Sequence, residues 1–325
     1  MKTFDRSAAP LPLMSRLPPL PPGWQPVCHA ILRDGSLAVL AADVDLAAEH
    51  QRMDELASAG RARIWSITST SAWLEGPTFP LETPHPMIDR FADGRWLVVD
   101  ALSGQVNARV LSPDGAVRDR FRLGFGIDHL MIDDDDRIWV GWGDQSIFRN
   151  SDWRVPGQQN AKAADAVACF TDGGTPFFLP AWPDEGAAVV DPYALSVDGA
   201  GAWSCPYMHA IEDFPLVRFM PGESTRWWRH PLKGATAIAR HGHHILLAGR
   251  YGEDANRLAL LALDGEGHGD QATVVACWAM PFHRPPPEQP HSWNEPTLLA
   301  GRGDTIHLVQ DRNWYRWRVP AFTPL

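Results

Sequence analysis

The chain is predicted to fold as an all-β, six-bladed β-propeller with four-stranded blades. Three observations point there. An apolar run, a tight polar turn and a second apolar run recur six times along the sequence. Each copy is followed by further short apolar segments separated by Gly- and Pro-containing turns, the spacing of a propeller blade. The last copy runs out of chain before a fourth strand, so the ring needs a strand from the other terminus.

The six copies are Cys28–Leu40, Met87–Val99, His129–Val140, Tyr193–Trp203, Ala237–Ala248 and Thr297–Val309. Each reads as the inner hairpin, strands A and B, of one blade. Their turns are Asp34-Gly35, Asp93-Gly94, Asp133–Asp136, Asp198-Gly199, His241–His243 and Arg302–Asp304. Small polar residues and glycine supply the backbone that tight hairpins demand. The outer strands follow at Arg63–Thr68 and Ala72–Gly76, Ala108–Leu111 and Val117–Leu123, and Ala166–Phe170 and Pro176–Leu179. They continue at Leu216–Met220 and Thr225–His230, then at Arg257–Leu263 and Thr273–Ala279. In the sixth unit strand C is Trp314–Val319, and a segment within Pro12–Pro19 is expected to supply strand D. Such closure removes an open sheet edge. Asp45–Ala59 departs from the strand pattern: Leu46, Met53, Leu56 and Ala57 repeat at helical spacing, with Asp45 as N-cap and Gly60 as stop. The whole chain reads as one domain.

Composition narrows the functional classes. The net charge is −10 over 325 residues, with no Lys/Arg block, which argues against nucleic acid and anionic membrane surfaces as partners. The N-terminal stretch is Pro-rich rather than apolar, and no run is long enough to span a bilayer. Cys28, Cys169, Cys205 and Cys277 sit singly in strand patterns, as buried free thiols of a cytoplasmic chain would.

Strand direction separates two faces. The A–B and C–D turns are short and share one face. The long insertions, at Asp43–Ala62, Gly143–Asp165, Ala181–Val190, Pro206–Pro215, Arg250–Asn256 and Pro281–Pro296, share the other. Loops held on a rigid scaffold commonly carry function, so the loop-rich face is the expected binding face. The starts of the A strands open on the same side. They carry His29, Asp89, Asp128 with His129, Asp191, Thr236, and Asn294 with Glu295. Strand alternation is expected to turn Asp89 away from the channel. Asp128, Asp191, Asn294 and Glu295 offer oxygen ligands for a hard divalent cation such as Ca²⁺. His129, His29 and Asp128 are the candidates for acid–base work beside it. Trp142, Trp153, Trp182 and Trp293 fall in or beside the insertions, where exposed rings could stack on a ligand. His241-Gly242-His243-His244 and Asp133–Asp136 lie on the short-turn face and read as exposed, solvated turns.

No nucleophile elbow, zinc-protease helix, phosphate loop or dinucleotide fingerprint occurs. The expected function is therefore a binding module whose loop-rich face and channel mouth hold a small molecule, peptide or protein. The alternative is a metal-dependent hydrolase or lyase of the lactonase type, with the metal at the channel mouth.

The phrase of apolar strand, Asp-rich turn and Ile-Trp-Val, clearest at Gly126–Val140, resembles six-bladed propellers of the NHL and SMP-30/gluconolactonase kind. That resemblance implies a propeller fold over most of the chain. From the SMP-30 side it implies a channel metal held by Glu, Asn and Asp at strand starts, positions that Asp128, Asp191 and Asn294/Glu295 would fill. From the NHL side it implies a binding platform. The block Tyr193–Phe219 is also similar to segments of uncharacterised bacterial propeller proteins.

Overall fold

Runs of alternating or wholly apolar residues, cut by left-handed turn residues, fold into 24 strands and one α-helix among the described residues of this computed structural model. The structure describes residues 11–46, 53–68, 72–143, 146, 150, 166–180, 189–199, 201–208, 213–249, 254–280 and 298–321. In chain order the elements begin with β1 (Leu13–Arg16), β2 (Gln25–Ile31) and β3 (Leu37–Ala42). Helix α1 (Met53–Ala59) follows, then β4 (Arg61–Ile67) and β5 (Leu74–Pro80). Next come β6 (Pro86–Arg90), β7 (Trp96–Asp100), β8 (Ala108–Leu111), β9 (Val117–Phe121), β10 (Ile127–Ile132), β11 (Ile138–Trp142), β12 (Val167–Phe170) and β13 (Pro176–Phe178). The second half contains β14 (Val189–Asp198), β15 (Gly201–Met208), β16 (Leu216–Phe219), β17 (Arg226–Arg229), β18 (Ala237–His241), β19 (His244–Ala248), β20 (Arg257–Leu263) and β21 (His268–Ala279). The chain ends with β22 (Leu298–Arg302), β23 (Thr305–Gln310) and β24 (Asn313–Arg318).

These strands form a propeller-like arrangement. Strands β2–β5, β6–β9 and β10–β13 are each a four-stranded antiparallel meander. A fourth such sheet has the order β1-β24-β23-β22, so the N-terminal strand completes the sheet that the C-terminal residues begin, with Leu13 opposite Arg316 and Arg16 opposite Asn313. The remaining strands differ from the expected pattern. They form a single eight-stranded sheet, β14-β15-β16-β17-β21-β20-β19-β18, in which two meanders join edge to edge.

The join is a parallel pairing of β17 with an extension of β21 that starts at His268 rather than Thr273. Glycine makes it possible. Gly267 has φ +85°, and a Cβ there would lie 2.5 Å from the Trp228 ring. With no side chain in the way, Trp227 N–H donates to the Gly267 carbonyl (2.8 Å) and Trp228 Nε1 donates to the Asp264 carbonyl (2.9 Å). The sequence Asp264–Asp270 reads as a plain turn. Only the packed neighbour makes it a seam.

Apolar clusters fill the spaces between sheets. Leu40, Ile64, Ile88 and Val98 pack between the first two, and Leu97, Val110, Ile132 and Val140 between the next two. Trp65, Trp139, Trp203 and Trp317 are buried, as expected of rings that fill gaps between twisted sheets. Helix α1 is seen over Met53–Ala59 of the expected Asp45–Ala59; residues 47–52 lie outside the described residues. It ends where Gly60 N–H donates to the Leu56 carbonyl (2.9 Å). No helix among the described residues is long and apolar enough to cross a membrane.

Candidate functional site

The inner strands β2, β6, β10, β14, β18 and β22 each touch the next, and β22 touches β2. Across this ring runs an ion pair. Arg302, at the end of β22, donates from Nη1 to Asp89 Oδ2 of β6 (2.8 Å) and to the Ile31 carbonyl of β2 (2.9 Å). Its Nη2 donates to the Ile132 carbonyl of β10. Asp89 also accepts from the backbone N–H groups of Ile132 and Arg90, both at 2.7 Å. The Asp89 side chain is 1% exposed and that of Arg302 6%. One guanidinium thus ties strands from four sheets together at the short-turn end of the ring. The expectation that alternation turns Asp89 outward is corrected: Asp89 faces Arg302, and its carboxylate is fully engaged by protein donors.

The other candidates at the strand starts divide. Asp128 is exposed beside Gly143, where a Cβ would come within 2.5 Å of the carboxylate. His129, its neighbour, points the other way. Gly141 leaves room for it against Pro192, and burial pushes its pKa down to about 4 against the pull of the Pro192 and Tyr193 carbonyls. Asp191 is half-buried at the start of β14, paired with Tyr207. Asn294 and Glu295 lie outside the described residues. Among the described residues no three His, Cys, Asp or Glu side chains are grouped to hold a metal ion.

The tryptophans need one correction. Trp142 is fully buried, its Nε1 donating to the Leu123 carbonyl (3.0 Å) and its ring set edge-on to Phe170. It anchors the core and is not a ligand-stacking ring. Burial won because the apolar β11 continues through Trp142 before the insertion begins. Trp153, Trp182 and Trp293 lie outside the described residues. The acidic run is also only partly a solvated turn. Asp133 is 1% exposed and accepts from Trp139 Nε1 and the backbone of Asp135 and Arg137, all at 2.9 Å. His241 and His243 are exposed at a hairpin tip.

His29 opens on a different feature. On β2 it shares a face with Ile31, which packs with Leu17, Val39, Val309 and Trp314 in the seam between the first and last sheets. There it lines a cavity of about 260 Å³ together with Leu17–Leu20, Trp24, Trp73, Val309 and Arg312. The cavity opens where β2 begins and where β23 turns into β24. Trp24 stands edge-on to Trp65 at 5.0 Å, under the Arg63 guanidinium. Trp73 is pinned by its Nε1 donating to the Pro18 carbonyl (3.1 Å).

His29 Nδ1 is buried with no hydrogen-bond partner among the described residues, and burial pushes the imidazole down to about 4. At the rim, Asp311 and Arg312 hold φ of +52° and +60°. Two-residue hairpins need this conformation, and Asn-Gly ordinarily supplies it. Non-glycine residues there are strained. Arg16 braces the turn through the Asp311 carbonyl (2.8 Å) and the Asn313 side chain (2.9 Å). Sequence reading found His29 but not this cavity. Its walls come from the two ends of the chain, and only ring closure brings them together. The one signal was Trp24 standing just ahead of an inner strand.

The fold is similar to that of virginiamycin B lyase from Staphylococcus aureus, at 11% identity and a TM-score of 0.50, over 94% of this chain and 98% of that one. It is also similar to Hsv2 of Kluyveromyces lactis, at 9% identity and a TM-score of 0.50, over 91% of this chain and 75% of that one. A gluconolactonase of Xanthomonas campestris aligns at 11% identity and a TM-score of 0.46, over 97% of this chain and 99% of that one. The likeness to virginiamycin B lyase and Hsv2 agrees with the propeller-like fold expected from the sequence, and at these identities it is a likeness of fold alone. No family model matches the sequence, and no curated protein matches it.

Proposed function

We propose that the chain is a six-bladed β-propeller acting as a binding module, in which the seam between the first and last sheets takes a small ligand with a planar face and polar edges. The eight-stranded sheet is then two blades fused at the β17–β21 edge, and the ring of six inner strands supports that count. The observation that carries the binding reading is the His29 cavity. Its walls combine tryptophan, proline and leucine with polar Gln25, Asp311 and Arg312, and the buried His29 Nδ1 is left unpartnered, a mixed lining suited to a small molecule. The cavity is lined by Gln25 at the start of β2 and by Asp311 and Arg312 of the β23–β24 turn, which lie at the loop-rich end of their strands, so access is from that side. The free thiols fit a cytoplasmic chain.

A screen of small aromatic, heterocyclic and sugar compounds, read by tryptophan fluorescence and thermal shift, tests this. Binders are expected, and His29→Leu should abolish their effect while leaving the protein folded. Binders that engage His29→Leu as well as the wild type would place the site elsewhere, and a screen without binders would count against the reading.

The second reading, a metal-dependent hydrolase or lyase, is favoured by one arrangement. His129 bridges β10 to the Pro192 segment of β14 and so brings the strand starts bearing Asp128 and Asp191 side by side. Those two carboxylates do not make a metal centre by themselves. Asn294 and Glu295 would have to complete it, and a bound divalent cation would then supply Lewis acidity. Elemental analysis of the purified protein decides: about one equivalent of a divalent ion favours this reading, and none removes it.

A further inference from the structure

A second cavity, of about 450 Å³, lies on the short-turn face over the sealed end of the ring. Its rim is formed by turns of several sheets, including Arg33–Gly35, Asp134, Val197–Gly199 and Gly303–Thr305. Arg302, His307 and Arg316 line it from the last sheet.

The charges around this cup sort into pairs, with one exception. Arg33 pairs with Asp136, Arg318 with Asp304 (2.6 Å), Arg240 with Asp198, and Arg302 with Asp89 (2.8 Å). Asp34, also on the rim, is paired with Arg90 (2.7 Å). Arg316 has no carboxylate partner among the described residues. Its Nη2 donates to Ser15 Oγ (2.8 Å), its guanidinium stacks over Trp314 at 4.2 Å, and its Nε is buried without a partner. Burial lowers its pKa, and no carboxylate offsets that.

His307 is its cross-strand neighbour. The His307 side chain is stacked on Trp314, whose Nε1 donates to Nδ1 (3.2 Å). The ring proton must therefore sit on Nε2, which makes that atom a donor. Burial, together with Arg316 and Arg302, holds His307 neutral. The cup thus presents an unpaired guanidinium and a neutral imidazole donor side by side, and the adjoining Arg302 is already satisfied by Asp89.

We propose that this cup binds a compact ligand through one oxyanion head, a carboxylate or a phosphate, seated on Arg316 and His307. Guanidinium is suited to such heads because its donors match their geometry. The rim sets a limit on the class. Asp34, Asp134, Asp198 and Asp304 surround the entrance, so a polyanion meets repulsion that a single-headed anion avoids.

The test is calorimetric titration of the full chain with inorganic phosphate, acetate and inorganic triphosphate, at ionic strength matched with chloride. Phosphate or acetate should bind at one site, and which of them binds tells the head group. Triphosphate should bind no tighter than phosphate. Arg316→Gln should weaken binding at least about tenfold, while Arg318→Gln, whose partner is Asp304, should change it by less than about threefold. No binding of either single-headed anion, or equal binding by Arg316→Gln, overturns the proposal. Should Arg316→Gln not fold, the His307 ring ¹⁵N shifts of the wild-type protein give the answer. They should move on adding the anion, and unmoved shifts overturn it.

Discussion

Replacing Asp89 with alanine removes the carboxylate that faces Arg302 across the ring. The guanidinium stays where it is, because the Ile31 and Ile132 carbonyls still hold it, and it becomes a buried charge without a counter-ion. The Ile132 N–H loses its acceptor as well. Breaking one partner of a buried ion pair costs about 3–5 kcal/mol. Unfolding entropy of about 2.1 cal/mol/K per residue gives this 325-residue chain about 0.7 kcal/mol/K, so the loss should lower Tm by about 4–7 °C. The double variant Asp89→Ala/Arg302→Met removes both charges at once. Its loss should fall short of the sum of the two single losses by about 2–3 kcal/mol, the coupling of groups in direct contact. Thermal and urea unfolding of the four proteins measure this cycle. Additive losses, or an Asp89→Ala midpoint within about 1 °C of wild type, would refute the claim that the pair locks the ring.

The other expectations follow from single groups. His29 and His129 are held near pKa 4 and His307 near 3 in the folded chain, against an ordinary value of 6.5. The unfolded chain therefore binds more protons in that window, and stability should fall as pH drops from about 6.5 towards 4. His307→Asn should flatten that slope in urea titrations taken across the range, and an unchanged slope would contradict the assignment. Gly267→Ala sets a Cβ against Trp228 at a left-handed φ and should cost about 2 kcal/mol, with amide exchange rising first along β17 and β21. A protection pattern unchanged at that edge would count against the seam. Burial pushes the Cys28 and Cys205 thiols up to about 12 and raises Cys169 further. Alkylation at pH 8 should leave these three unlabelled until denaturant is added, and mass spectrometry of the modified sites checks it.

The rhythm of strands and turns was written in local sequence. Period-two apolar runs and Asp-Gly turns mark strands wherever they occur, because hairpins form from neighbouring residues and left-handed turn positions select their own residue types. The N-terminal strand was legible for a related reason: a sheet short of one strand leaves an unpaired edge, and a segment within Pro12–Pro19 was expected to fill it, where the structure places Leu13–Arg16. What strand pattern alone left open was everything set by partners distant in sequence. Asp89 looked misdirected because its counter-ion is 213 residues away. Trp142 looked like a loop aromatic because its burial depends on Leu123 and Phe170. Arg316 was one arginine among many until the tertiary structure gave its neighbours carboxylates and left it none among the described residues. Asp264–Asp270 looked like an ordinary turn until β17 came to lie beside it. Local patterns fix the backbone's choices, but a side chain's charge balance and burial are properties of the assembled neighbourhood, and only the closed ring creates that neighbourhood.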